Sequence, residues 1–157
     1  LQEVNGILSR ENDTGMFVTV FYAILELSTG KIVYCNGGHN PPLFIKHDGT
    51  LGTIPSSGNL LLGMIEDVRY GEQELTIQSG DVLFLFTDGI TEALNSQQAM
   101  YSDERLERAI TQIQSNDPKT IVSEIISDVV RFSEGVPQSD DITCMTVRYN
   151  GIPNNDP

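Results

Sequence analysis

Val82-Leu83-Phe84-Leu85-Phe86-Thr87-Asp88-Gly89 decides the fold: five apolar residues run unbroken into an acidic turn. An unbroken apolar run of this length, closed by turn residues, reads as a strand buried on both faces. A second acidic turn, Ser139-Asp140-Asp141, stands directly before Ile142-Thr143-Cys144-Met145-Thr146-Val147. Each turn puts a carboxylate at the rim of a buried strand, where desolvation is costly unless something positive meets it. Two such carboxylates from distant parts of the chain suggest a shared divalent cation, and so metal-assisted chemistry on a phosphate. Spacing alone also admits a plainer account, with Asp88 a turn residue and Asp140 a strand cap.

Outward from these turns the period of the apolar residues alternates between strand and helix. Residues 1–8 read as a helix end, with Leu1, Val4, Ile7 and Leu8 three or four apart. Residues 16–27, rich in Val, Phe, Tyr and Ile, predict one long strand, and residues 31–35 return from it after Ser28-Thr29-Gly30. A third strand starts at Leu43-Phe44-Ile45, and Asp48-Gly49 predicts a tight type I′ hairpin into a strand over 51–54. Residues 60–64 are apolar but carry no period that assigns them. Residues 72–77 alternate as a strand. Leu106, Ala109, Ile110 and Ile113 then follow helical spacing, with Ser102 or Asp103 as cap. Asp117-Pro118 opens a second helix, with Ile121, Val122, Ile125, Ile126, Val129 and Val130 as its apolar face and Gly135-Val136-Pro137 as its stop. Residues 142–149 form a last strand, and the polar residues 150–157 a disordered tail. Strands, then helices, then a strand predict an α+β fold of mainly antiparallel hairpins in a single domain.

The chain has 157 residues, 39% of them apolar, and a formal charge of -13 from 22 acids against nine bases. It is long enough for a real core, and no stretch approaches the ~20 apolar residues of a membrane span. That acidity argues against nucleic acid and against an anionic membrane as partners. It also opposes a phosphorylated substrate, which carries about -1.5 to -2 per phosphate, unless bound cations intervene. Cys35 and Cys144 have no Cys or His at zinc-ligand spacing, so they read as small buried residues in a reducing, cytoplasmic protein.

Four segments sharpen the reading. Thr87-Asp88-Gly89-Ile90-Thr91-Glu92-Ala93 resembles the signature of the PPM class of metal-dependent serine/threonine phosphatases, in the sigma-factor-regulating branch typified by SpoIIE and RsbU. Asn36-Gly37-Gly38-His39-Asn40-Pro41-Pro42-Leu43 resembles that family's Asn-Ala-Gly-His-Asn-Pro-Pro-Leu motif. Met16-Phe17-Val18-Thr19-Val20-Phe21-Tyr22 and Gln138-Ser139-Asp140-Asp141-Ile142-Thr143 match two further family segments. The four occur in family order and span residues 16 to 149.

The resemblance implies a sandwich of two antiparallel β-sheets flanked by helices, with residues 1–149 forming part of the phosphatase domain. It implies two Mn²⁺ or Mg²⁺ ions at one edge, with Asp88 and Asp140 as catalytic metal ligands and Thr87 and Gly89 beside them. Asp141 matches a position often held by Asn, so ligation and a supporting hydrogen bond both stand for it. In this family a metal-activated water attacks phosphorus directly. The implied substrate is a phosphoserine or phosphothreonine on an anti-anti-sigma protein of the STAS type.

The family's Asp-Val-x-Gly-His-Gly segment, which supplies an Asp bridging both metals, does not occur in this chain, and Gly38-His39 has no Asp at its spacing. The expectation is therefore that at least one strand and one ligand lie upstream of Leu1, and that the isolated chain has little or no activity. An unpaired sheet edge would then favour a homodimer. The alternative is a non-catalytic module of degenerate phosphatase fold that binds a phosphoprotein. His39 and Asn40 read as structural residues of a rigid turn, His47 as plain surface, Glu92 as a helix-start carboxylate, and Arg105 and Arg108 as residues of a solvated helix face.

Overall fold

The strand at residues 82–86 is buried in the computed structural model, which describes residues 1–56 and 58–152. In chain order the elements are α1 (Gln2–Arg10), β1 (Val20–Glu26), β2 (Lys31–Gly37), β3 (Leu43–Ile45), β4 (Leu51–Thr53), β5 (Gln73–Thr76), β6 (Val82–Phe86), α2 (Asp88–Thr91), α3 (Asp103–Gln112), α4 (Pro118–Phe132) and β7 (Cys144–Arg148). They fall into two compact units. One holds residues 1–41 and 55–77, and the other residues 42–54 and those from 78 onward. Each unit carries one antiparallel sheet, ordered β1-β2-β5 in the first and β4-β3-β6-β7 in the second. Residues 153–157 of the expected tail lie outside the described residues.

In the second unit β6 lies between β3 and β7, and Val82, Leu83, Phe84 and Phe86 are all buried, so side chains on both of its faces are covered. Two helices add their apolar stripes to the same core, α3 through Leu106 and Ile110 and α4 through Ile121, Ile125 and Val129. At roughly 1.5–3 kcal/mol for each fully buried large apolar side chain, this cluster holds the unit together. The start of α4 follows the expected capping: Asp117 accepts from the Thr120 backbone N–H at 2.9 Å, and Pro118 occupies the first turn. Its apolar face is narrower than the sequence pattern, because Val130 points away from the core and is 60% exposed.

Several expectations need correction. The long strand over 16–27 begins only at Val20, because the Asn12 side chain bonds both N–H and C=O of Met16 and takes that backbone out of any ladder. Val18 makes an isolated bridge to Leu62, which places the unassigned 60–64 stretch. Asp48-Gly49 is not a two-residue turn: Ile45 pairs with Leu51 across five loop residues, and of this dipeptide only Gly49 has positive φ, while Asp48 accepts from Thr50 N–H. In α1 the periodic Val4, Ile7 and Leu8 lie exposed, and the fully buried residue is Asn5. Its side chain accepts from Gly63 N–H at 2.9 Å and donates to Ile65 C=O at 2.9 Å. Asn5→Leu would leave the buried Gly63 N–H unsatisfied, so it is expected to destabilise by about 1–3 kcal/mol in denaturant titration, although it extends an apolar face.

Arg105 is on a partly solvated face, its side chain 42% exposed, but it also packs inward. Its guanidinium lies 4.4 Å from the Phe132 ring centre and 5.1 Å from that of Tyr101, and bonds Asp128 at 3.4 Å. Tyr101 Oη also donates to Asp128, at 2.7 Å. Burial by itself would raise the Asp128 carboxyl, but the Tyr101 and Arg105 hydrogen bonds with the Arg105 and Arg131 charges outweigh it and hold the carboxyl below its usual range. A carboxyl lowered by folding contributes stability that is present above its unfolded pKa and is lost as pH falls through its folded one. Thermal melts of the unmodified protein should therefore drop more steeply below about pH 4 than those of Asp128→Asn.

Candidate functional site

Both acidic turns belong to the second unit, and the structure joins them edge to edge. Thr87, at the end of β6, donates its N–H to Thr143 C=O at 3.0 Å. The Thr87 hydroxyl donates to Asp141 C=O at 3.0 Å and accepts from Thr143 N–H at 3.1 Å. These bonds continue the β6–β7 ladder beyond its last regular pair, Phe86 with Cys144, and explain why β7 starts at Cys144 rather than 142. Gly89 closes the junction from the other side. A Cβ there would lie 2.4 Å from Asp141 O and 2.9 Å from Asp141 C, so the approach is open only to glycine.

The result is a rim bearing Asp88, Asp140 and Asp141, all exposed. Asp88 is the first residue of the single-turn helix α2 and makes no side-chain hydrogen bond or ion pair among the described residues. One Asp140 oxygen accepts from Asp141 N–H at 2.7 Å, and the Gln138 side chain donates to Asp140 C=O, so this turn is internally braced. No Lys or Arg pairs with any of the three among the described residues, although each is formally negative. Oxygen-only donors of this kind suit Mg²⁺ or Mn²⁺. The set is incomplete as a cage: among the described residues no group of three His, Cys, Asp or Glu side chains is arranged to hold a metal ion.

A family model comparison decides what this rim belongs to: the description Stage II sporulation protein E (SpoIIE) matches residues 1–150. The chain belongs to the SpoIIE family. Protein IcfG of Synechocystis is 30% identical over 145 residues, covering 92% of this chain and 22% of that protein. The phosphoserine phosphatase RsbU of Bacillus subtilis is 25% identical over 149 residues, covering 94% of the chain and 44% of RsbU. The Mn-presoaked phosphatase domain of the cell-fate determinant SpoIIE from Bacillus subtilis superposes with a TM-score of 0.72 at 22% identity, over 99% of this chain and 66% of that one. The SpoIIE-type chain thus has the phosphatase-domain fold expected of it, and spans less than half the length of these two curated relatives.

His39 and Asn40 lie in the first unit. Asn36 bonds both N–H and C=O of His39 at 2.8 Å, and His39 Nδ1 lies 3.0 Å from Thr19 Oγ1, a geometry that fixes the turn. Glu92 is not at a helix start: it is the C-terminal cap of α2. His47 is not plain surface. Its N–H donates to the buried Asp81 carboxylate at 2.8 Å, and its Nδ1 lies 3.2 Å from the same oxygen. Asp81 also accepts from Gln78 N–H at 2.7 Å and so pins the entry to β6. Sequence reasoning passed over Asp81, although an acid abutting the Val82 run carried the same signal as Asp88.

Proposed function

We propose that this chain is the main part of a metal-dependent phosphoserine/phosphothreonine protein phosphatase domain, with Asp88 and Asp140 as metal ligands. The observation that supports this most is the Thr87 junction, which holds two unpaired acidic turns at one rim in a chain of SpoIIE family. Bound Mn²⁺ or Mg²⁺ would supply Lewis-acid polarisation of the phosphoryl group and a water acidified toward neutral pH. The chain's own part is to offer hard oxygen donors on a rigid strand end and to offset the repulsion between its acids and a phosphate through those ions. A two-ion centre needs further ligands beside these two carboxylates. Asp141 braces the turn through its backbone, its C=O receiving the Thr87 hydroxyl and its N–H donating to Asp140.

The substrate class that fits the family is a phosphorylated anti-anti-sigma protein of the STAS type, met in the reducing cytoplasm. The test is release of phosphate from phosphoserine and phosphothreonine proteins by the full-length protein with Mn²⁺, with EDTA as control. Turnover that is unchanged by EDTA sinks the proposal. That no three-ligand group is found among the described residues favours a second reading, a phosphoprotein-binding module without turnover. Under it the same assay gives metal-independent binding and no phosphate.

A further inference from the structure

Val130 is an exposed apolar residue on a helix whose other stripe is buried, and it has company. A groove of about 360 Å³ runs beside the acidic rim, lined among others by Leu94, Val130, Val136, Pro137 and Ile142. Gly89 forms part of its wall, and so does Ser139. These residues immediately neighbour Asp88 and Asp140 in the chain, so the groove opens from the rim itself. After α4 ends at Phe132 with Ser133 as its cap, Gly135 takes a positive φ in the turn that leads into Val136-Pro137, with Val136 N–H held by Ser133 C=O at 2.9 Å. Glu134 is the one charged residue in the lining.

We propose that this groove receives an apolar side chain next to the phosphorylated residue of the protein substrate, with a basic residue beyond it meeting Glu134. The proposal rests on the phosphatase reading only for the identity of the neighbouring group as phosphoserine or phosphothreonine. Two observations select this occupant. Half of the lining is apolar, including Leu94, Val130, Val136 and Ile142, which rewards an aliphatic group over a charged one. Among the described residues of the lining the charge is that of Glu134, so a flanking basic residue is complementary and a flanking acid is repelled. An apolar pocket beside the chemistry discriminates by the fit of single side chains, an effect of roughly 10- to 200-fold.

The test uses the full-length protein and two fluorescent synthetic phosphoserine peptides. One carries Leu on both sides of the phosphoserine and Arg three residues on; the other has Asp in place of each Leu. Binding is read by fluorescence anisotropy, and turnover by phosphate release with Mn²⁺. The Leu peptide is expected to bind about 10-fold tighter or better. Val130→Asp, at an exposed position that leaves the core intact, should erase that preference; Val136→Asp should do the same from the opposite wall. Circular dichroism and thermal melting of both variants check that each is folded. Equal binding of the two peptides, no binding of either, or a preference that survives both variants overturns the groove. Selective binding lost in the variants, but without phosphate release by the unmodified protein, upholds the groove and sinks the phosphatase reading instead.

Discussion

Asp88→Asn in the full-length protein is expected to abolish Mn²⁺-dependent phosphate release while leaving the fold intact. The side chain is exposed and makes no hydrogen bond or ion pair among the described residues, so an isosteric amide removes charge and nothing else. A neutral amide oxygen is a poor ligand for a hard divalent ion. Changes to groups that merely orient a metal ligand already cost roughly 10- to 100-fold, so loss of a ligand should exceed about 100-fold in activity. Asp140→Asn should match it, since an amide oxygen can still receive Asp141 N–H and keep the turn. Melting temperature adds an independent readout. A ligand that binds only the folded state stabilises it, so Mn²⁺ should raise the melting temperature of the unmodified protein and not that of either variant. If Asp88 is a turn residue and Asp140 a strand cap, Mn²⁺ shifts none of the three. That outcome would return both carboxylates to their plainest reading.

The rim was legible in the sequence because its two parts use strong local signals. An unbroken apolar run ending in Asp-Gly, and a double Asp opening another apolar run, each announce a strand end without tertiary information. Their juxtaposition was not legible from spacing, since it depends on the β6–β7 pairing and on one hydroxyl, that of Thr87, reaching a backbone carbonyl 54 residues away. The cost of two buried-strand-end carboxylates suggested a shared cation beforehand, and the family motifs joined them more specifically.

Elsewhere the period of apolar residues misled where a polar side chain overrode it. In α1 the pattern selects Val4, Ile7 and Leu8, yet the buried contact is made by Asn5, whose amide satisfies two backbone groups. Val130 matches the helical stripe of α4 as well as Val129 does, but it lies one position past the contact and faces the groove. His47 and Asp81 are 34 residues apart and meet through β3–β6 pairing, which no local pattern encodes. Arg105 looked fully solvated because charge alone was read; its stacking on Phe132 and Tyr101 draws on residues from before α3 and from the end of α4.

Gly89→Ala should be as damaging to function as loss of a ligand, through geometry rather than charge. The added methyl would stand 2.4 Å from Asp141 O, 2.9 Å from Asp141 C and 3.4 Å from Asp140 O. All three are backbone atoms, so no rotamer change can relieve the contact; the turn of residues 140–141 must move. That movement pulls on the Thr87 hydroxyl bond to Asp141 and shifts Asp140 relative to Asp88. Overpacking of this kind costs typically about 1–3 kcal/mol of stability. Catalysis by positioned groups is less forgiving: a displacement of about 1 Å can cost on the order of 100-fold. The expected signature is therefore disproportion, with activity and Mn²⁺ affinity lost to a degree that the modest fall in melting temperature does not explain. Gly52→Ala is the control, because a Cβ at Gly52 in β4 meets nothing within 4 Å. It should leave both activity and Mn²⁺ affinity unchanged. A Gly89→Ala protein that keeps normal Mn²⁺ affinity would show that the two turns act independently, and the shared site would then have to be abandoned even if Asp88 alone proved essential.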